Sequence, residues 1–146
     1  MTITKNEFTV STDREKLDME FLHWFLSKEA YWSLNVPLDR VKRAVENSLN
    51  FGLYHNDRQI GYARVITDYS TIAYLGDVFV ITEYRGRGLS KWMMQQVMDH
   101  PDLQGLRRWI LLTISAHGLY EQFGWKQVAN PERYMEVWNP DVYNPG

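Results

Sequence analysis

The chain has 146 residues, 45% of them hydrophobic and 14% aromatic, which bounds it to one domain, residues 1–146, with material for an ordered core, and excludes a disordered chain. Its 16 Lys and Arg against 18 Asp and Glu leave a formal charge of -2 with no long run of either sign, so duplex nucleic acid and an anionic membrane surface are poor partners. There is no cysteine, which excludes disulfides, thiolate metal sites and a cysteine nucleophile.

The polar start, MTITKNEFTVSTDREK, has no signal-peptide stretch and no later run reaches membrane-spanning length, so a cytoplasmic protein is expected. Thr2–Val10 predicts a short first strand, with Ser11, Thr12 and Asp13 as caps of a helix that runs to Ala30 on the apolar spacing of Leu17, Phe21, Leu22, Phe25 and Leu26. A second helix is predicted from Leu38 to Leu49, with Pro37 at its start.

From Phe51 the apolar period shortens to two. FGLYHNDRQIGYARVITDYS reads as a strand, a turn at Asn56 and Asp57, and a second strand, and TIAYLGDVFVI reads as a central strand interrupted by Asp77. Helical spacing returns at Leu89, Trp92, Met93, Gln96 and Val97, and Pro101 ends that helix near Asp99 or His100. RRWILLTI is a further strand, SAHGLYEQFGW a short helix ended by Gly124, and KQVANPERYMEVWNP a last strand or strand pair turning at Asn130 and Pro131. The tail DVYNPG is either loose or an edge that a partner covers. Strands and helices alternate in an α/β chain without internal repeats.

The strongest chemical signal is VFVITEYRGRGLSKW. Gly86 and Gly88 stand where a strand turns into a helix, so backbone N–H groups and the helix N-terminus can face a pyrophosphate, with Arg85 and Arg87 at the rim. A solvated turn with incidental arginines is the plainer alternative. The spacing lacks Gly-x-Gly-x-x-Gly and no Gly-Lys-Ser or Gly-Lys-Thr follows, which disfavours NAD binding and nucleotide hydrolysis. His23, His55, His100 and His117 show no ligand spacing, so no metal is expected, and Gly-x-Ser-x-Gly is absent.

Arg85, Gly86, Arg87, Gly88, Leu89 and Ser90 resemble the acetyl-CoA pyrophosphate motif of the GCN5-related N-acetyltransferase (GNAT) family, Gln/Arg-x-x-Gly-x-Gly/Ala, with Ser90 where the family has Gly or Ala. IGYARVITD, VFVITEYRGRG, RRWILLTI and SAHGLYEQFGW resemble that family's successive core elements in order, so the likeness covers nearly the whole chain. It implies an acyl-CoA N-acyltransferase fold: a mixed, mostly antiparallel central sheet with a splayed parallel strand pair and flanking helices. It further implies acetyl-CoA as cosubstrate, bound by Arg85–Ser90 and by the main chain of Phe79 and Val80, and transfer of acetyl to a primary amine of a small molecule. A non-catalytic acyl-CoA sensor and a protein N-acetyltransferase are the alternatives, and a homodimer is compatible with the apolar C-terminal strands.

Tyr120 in HGLYEQFG resembles the family tyrosine beside the CoA sulfur, and the high reference pKa of tyrosine suits proton donation; packing of a short helix is the plainer role. Asp77 is either a base for the amine or half of a structural salt bridge with a neighbouring Lys or Arg. Tyr31, Trp32, Arg64 and Tyr69 are the acceptor-pocket candidates, with core or ion-pair roles open to each.

Overall fold

In the computed structural model, which describes residues 1–144, the polar pair Asn6–Glu7 breaks the first predicted strand in two. Asn6 takes φ of 56°, a left-handed conformation that Asn tolerates better than most residues, and the outcome is a hairpin of β1 (Thr2–Lys5) and β2 (Phe8–Ser11). Asp13 caps only a 3-10 turn, accepting the Glu15 N–H at 3.0 Å. The helix proper, α1 (Met19–Trp24), starts later, capped by Asp18 through the Phe21 N–H at 3.0 Å. It widens into a π-helical turn over Phe25–Glu29 and ends at Ala30.

Pro37 precedes α2 (Leu38–Glu46), which stops short of the predicted Leu49 because Leu49 already pairs in the sheet. The strands β3 (Leu49–His55), β4 (Arg58–Thr67) and β5 (Ile72–Val80) follow as an antiparallel meander, and α3 (Leu89–Asp99) carries the chain over to β6 (Arg108–Leu111). Among the described residues one sheet forms in the order β1-β2-β3-β4-β5-β6, antiparallel throughout except for the parallel pair β5–β6. The mixed sheet with a parallel pair is the expected fold. No helix of the described residues is long and apolar enough to cross a membrane.

The core lies on both faces of the sheet, where Phe51, Leu53, Ile60, Tyr62, Leu75, Met93 and Met94 are almost wholly buried. Phe79 of β5 stacks on Phe25 with ring centroids 3.6 Å apart and planes within 9°, which fastens the end of α1 over the middle of the sheet. Burying each ring contributes about 1.5–3 kcal/mol, and the pairing adds roughly 1 kcal/mol.

His100, buried between α3 and Phe51, accepts the Asp102 N–H on Nδ1 at 3.1 Å. Burial pushes its pKa below the ordinary 6.5. The folded protein therefore binds a proton less readily than the unfolded chain, so its full stability is present above about pH 6.5 and falls as the pH drops below that value. In His100→Asn, which keeps a capping oxygen but does not titrate, the melting temperature is expected to vary less between pH 7.5 and 5 than in the wild type; an unchanged slope would assign the acid lability to another group.

The C-terminal segment departs from expectation. Lys126–Pro140 forms no strand, only a 3-10 turn over Pro131–Arg133, and its side chains are exposed throughout. β6 likewise ends at Leu111 instead of reaching Ile114. A strand exists only where a neighbour takes its backbone hydrogen bonds, and within the described chain the segment lies beside none. Asp141–Asn144 continues the tail, and Pro145 and Gly146 lie outside the described residues.

Candidate functional site

The parallel pair is short. It runs from Ile72↔Arg108 to Leu75↔Leu111 and stops, while β5 continues through Val80 against β4 alone. The cause lies at the next residues. The β4–β5 register shifts between Tyr62 and Arg64, opposite Asp77, whose φ of 53° is left-handed. Such a bulge bends its strand and increases the twist, so β5 diverges from β6 and leaves a gap with one unpaired strand edge.

Strand alternation settles which backbone groups face that gap. The Ile81 N–H donates to the Ile60 carbonyl on the β4 side, and the Phe79 carbonyl is turned toward Gly61 of β4. Val78 and Val80 therefore face the other way. This corrects the expectation for Phe79: its main chain is committed to β4, its ring to Phe25, and the gap-facing backbone belongs to Val78 and Val80. The Val80 carbonyl accepts a bond from Arg85 Nε at 2.8 Å, which leaves its N–H and the Val78 groups on the gap side.

Beyond Val80 a 3-10 turn over Thr82–Tyr84 leads into Arg85–Gly88. Gly86 and Gly88 have φ of 79° and 77°, and a Cβ on either would meet nothing within 4 Å. Conformation, not crowding, requires glycine there, and the space outside the turn is open. The first intrahelical bond of α3 runs from the Trp92 N–H to the Gly88 carbonyl at 3.0 Å, so the N–H groups of Leu89, Ser90 and Lys91 have no intrahelical acceptor. The Arg87 guanidinium lies 5.0 Å from the centroid of the Tyr84 ring. That ring is fixed by its hydroxyl, 2.6 Å from His55 Nδ1, and Glu83 pairs with Arg58 at 2.9 Å. An anion at this turn meets oriented amide donors, the positive end of an 11-residue helix and two placed arginines. Beside the turn a cavity of about 600 Å³ is walled by Phe21, Trp24 and Phe25 from α1 and its continuation, and by Ile81, Thr82 and Arg85.

On the β6 side of the gap, Thr113 Oγ1 accepts the Ala116 N–H at 3.0 Å and turns the chain into α4 (His117–Glu121). Tyr120 is buried there, 6.0 Å from the Trp125 ring, and its hydroxyl has no hydrogen-bond partner among the described residues. Burial pushes the phenol pKa up, so the group stays protonated as a donor. His117, at the start of α4, is exposed.

Three acceptor-side candidates meet at the bulge. Asp77 accepts Arg64 Nε on one carboxylate oxygen and Trp32 Nε1 on the other, each at 2.8 Å, and Arg64 Nη1 reaches Ser48 Oγ at 3.2 Å. The loop bearing Trp32 is tied down by Ser33 Oγ on the Leu26 carbonyl at 2.6 Å, and the Tyr31 ring stands edge-on to Trp32 at 5.1 Å, both rings exposed. Tyr69 stands apart, left-handed at φ 60°, in a cavity of about 200 Å³ with Arg14, Glu46 and Ser48.

The model of the acetyltransferase (GNAT) family matches residues 15–125, a stretch that spans the gap, the glycine turn and Tyr120. The chain belongs to that family. A GNAT-family acetyltransferase structure from Xanthomonas campestris superposes with a TM-score of 0.92 at 50% identity, covering 94% of this chain and 96% of that one. A Gibberella zeae protein assigned to the acetyltransferases is 32% identical, over 98% of this chain and 93% of its own length. A Clostridium acetobutylicum structure containing acetyl-CoA shares the fold at a TM-score of 0.65 with 13% identity, covering 94% of this chain and 96% of that one.

Within this GNAT chain, Val78, Trp24 and Trp125 went unnoticed in the sequence. A period of two does put Val78 and Val80 on one edge, but only the pairing of Ile81 with Ile60 says which edge that is. The partly buried Arg64–Asp77 pair, with side-chain exposures of 18% and 14%, sets a second expectation. Asp77→Asn leaves the guanidinium uncompensated and is expected to lower stability by about 2 kcal/mol in urea unfolding, below the value for a fully buried pair because water screens this one. The double variant Arg64→Met/Asp77→Asn, in which Asn tolerates the left-handed conformation at position 77, is expected to recover most of the loss; no recovery would mean that the bulge itself needs the carboxylate.

Proposed function

We propose that this protein transfers the acetyl group of acetyl-CoA to a primary amine of a small molecule. The observation that carries the reading is the alignment of the β5–β6 gap with the left-handed Gly86–Gly88 turn, since the two together accommodate a ligand with a pyrophosphate at one end and a peptide-like arm at the other. In this reading the pyrophosphate rests on the N–H groups of the turn and of the first turn of α3. The pantetheine arm lies along β5 and bonds to Val78 and to the Val80 N–H, which puts the thioester at the depth of the bulge.

The neutral amine nitrogen attacks the thioester carbonyl carbon, and a tetrahedral intermediate forms. Its collapse breaks the carbon–sulfur bond, and the leaving thiolate takes the proton of the Tyr120 hydroxyl, which is restored from solvent. The proton lost by the amine leaves through water. Both carboxylate oxygens of Asp77 already accept a donor, Trp32 Nε1 on one and Arg64 Nε on the other. We assign it to holding Trp32 and Arg64 in place, with Tyr31 and Trp32 as the wall that meets the acceptor.

The test is thiol release from acetyl-CoA across a panel of primary amines, including amino acids, polyamines, aminoglycosides and arylamines, with the product identified by mass. An amine gaining 42 Da supports the proposal. Binding of acetyl-CoA with no product from any amine would replace the enzyme with a sensor.

A further inference from the structure

We infer that the acceptor is an aralkylamine, a primary amine joined by a short chain to an aromatic ring, and that its ring lies over Tyr74 between Ile66 and Ile110. The inference rests on the acetyl-transfer reading above and names the acceptor class that reading leaves open.

Strand register brings the three side chains together. Tyr74 of β5 stands opposite Ile66 of β4 and Ile110 of β6, and facing residues on neighbouring strands project to the same side of a sheet. Arg64 pairs with Gly76 two residues further on, so this is also the side on which Arg64 meets Asp77 and Trp32 reaches the same carboxylate. The site at the bulge therefore continues along β5 as an apolar floor. Ile66 is 44% exposed, and Tyr74 and Ile110 are half-buried, so the floor presents ring and aliphatic surface to solvent.

Gly76 gives the floor its shape. A Cβ there would lie 3.0 Å from Tyr74 Cε1, so the Tyr74 ring leans along its own strand over Gly76 and toward the bulge. Two residues of strand span about 7 Å, which matches an amine on a two-carbon linker to an aryl ring. With the amine at the bulge, the substrate ring meets Tyr74 below and the Trp32 wall beside it, and aromatic pairs of this kind are favourable in offset or edge-on contact.

The charges exclude the other amine classes. Arg64 gives Nε to Asp77 and Nη1 to Ser48, so its guanidinium is compensated and holds no substrate carboxylate. Asp77 is compensated in the same pair and holds no second ammonium group. Ile66, Ile72, Tyr74 and Gly76 add no charge to this face of β4 and β5. The next charge is Arg108, opposite Ile72 and 5.9 Å from the Tyr134 ring centroid, and its sign repels the far end of a polyamine.

The test joins calorimetry of phenethylamine on the full chain in the presence of CoA with the kinetics of acetyl transfer. Phenethylamine is expected to bind, and to be acetylated with kcat/KM at least about 10-fold above propylamine, glycine, glucosamine and spermidine. Propylamine carries the same reacting group and is too short to reach Tyr74. Tyr74→Ala is expected to bring the phenethylamine-to-propylamine ratio close to one, whereas Tyr74→Phe, which keeps the ring, is expected to retain it. A merely structural role for Tyr74 would lower both amines alike and leave the ratio unchanged, which would overturn the inference. A higher kcat/KM for spermidine, glycine or glucosamine would also overturn it, with acetyl transfer still standing, and so would the absence of phenethylamine binding. Binding that is lost in Tyr74→Ala, with no amine acetylated, would instead overturn the transfer reading and uphold the preference of the groove.

Discussion

Replacing Gly88 by valine is expected to weaken acetyl-CoA binding by about 100-fold or more in calorimetry while the protein still unfolds in a single transition. At φ 77° a β-branched side chain is strongly disfavoured, and relief requires the peptide planes on either side to rotate. Rotation turns away the N–H groups of Leu89 and Ser90, and losing two charge-assisted hydrogen bonds of about 1.5–3 kcal/mol each accounts for a change of this size. Since a Cβ at position 88 would meet nothing within 4 Å, the substitution does not disturb the core, and the melting temperature is expected to fall by only a few degrees. Gly86→Ala, with a smaller side chain at φ 79°, is expected to fall between the two. An undiminished affinity in Gly88→Val would mean that the cofactor does not use this turn.

The second large effect is on the chemical step. Tyr120→Phe is expected to lower kcat by about 100-fold, the lower range for loss of a general acid, with KM for acetyl-CoA within about 2-fold of the wild type. Stability offers a control. The Tyr120 hydroxyl is in a buried residue with no hydrogen-bond partner among the described residues, so deleting it removes no bond and the variant is expected to melt at or slightly above the wild-type temperature. A loss of activity then reports chemistry and not unfolding. Because burial raises the phenol pKa above its usual 10, the proton donor stays intact through the neutral and mildly alkaline range. Any activity gained between pH 6 and 9 belongs instead to deprotonation of the amine. If Tyr120→Phe kept full kcat, the thiolate would be protonated from water and Tyr120 would be a packing residue.

These two residues were legible in the sequence because their signals are local: a glycine pair at a strand–helix junction, and a tyrosine one turn into a short helix beside Gly118 and Phe123. The fold was legible for the same reason, since the change of period at Phe51 and its reversal at Leu89 mark the meander and α3. What depends on distant partners was not. Asp77 read equally as base or salt-bridge partner until Trp32, 45 residues away, and Arg64 took its two oxygens. The register that turns Phe79 toward β4 follows from a bulge that no residue of β5 announces. The strand expected at the C-terminus has the right pattern and lacks a neighbour, and a neighbour is what the pattern cannot supply from within one chain.

The most direct test of the central claim, that acetyl-CoA lies across the β5–β6 gap with its pyrophosphate on the glycine turn, is an amide NMR titration with acetyl-CoA. The account expects the largest shifts at Val78, Val80 and Gly86–Lys91, with Phe79 and Ile81 shifting less because their N–H groups face β4. Shifts confined to the surface around Tyr69, or none at Gly86–Lys91 at a saturating concentration, would contradict it.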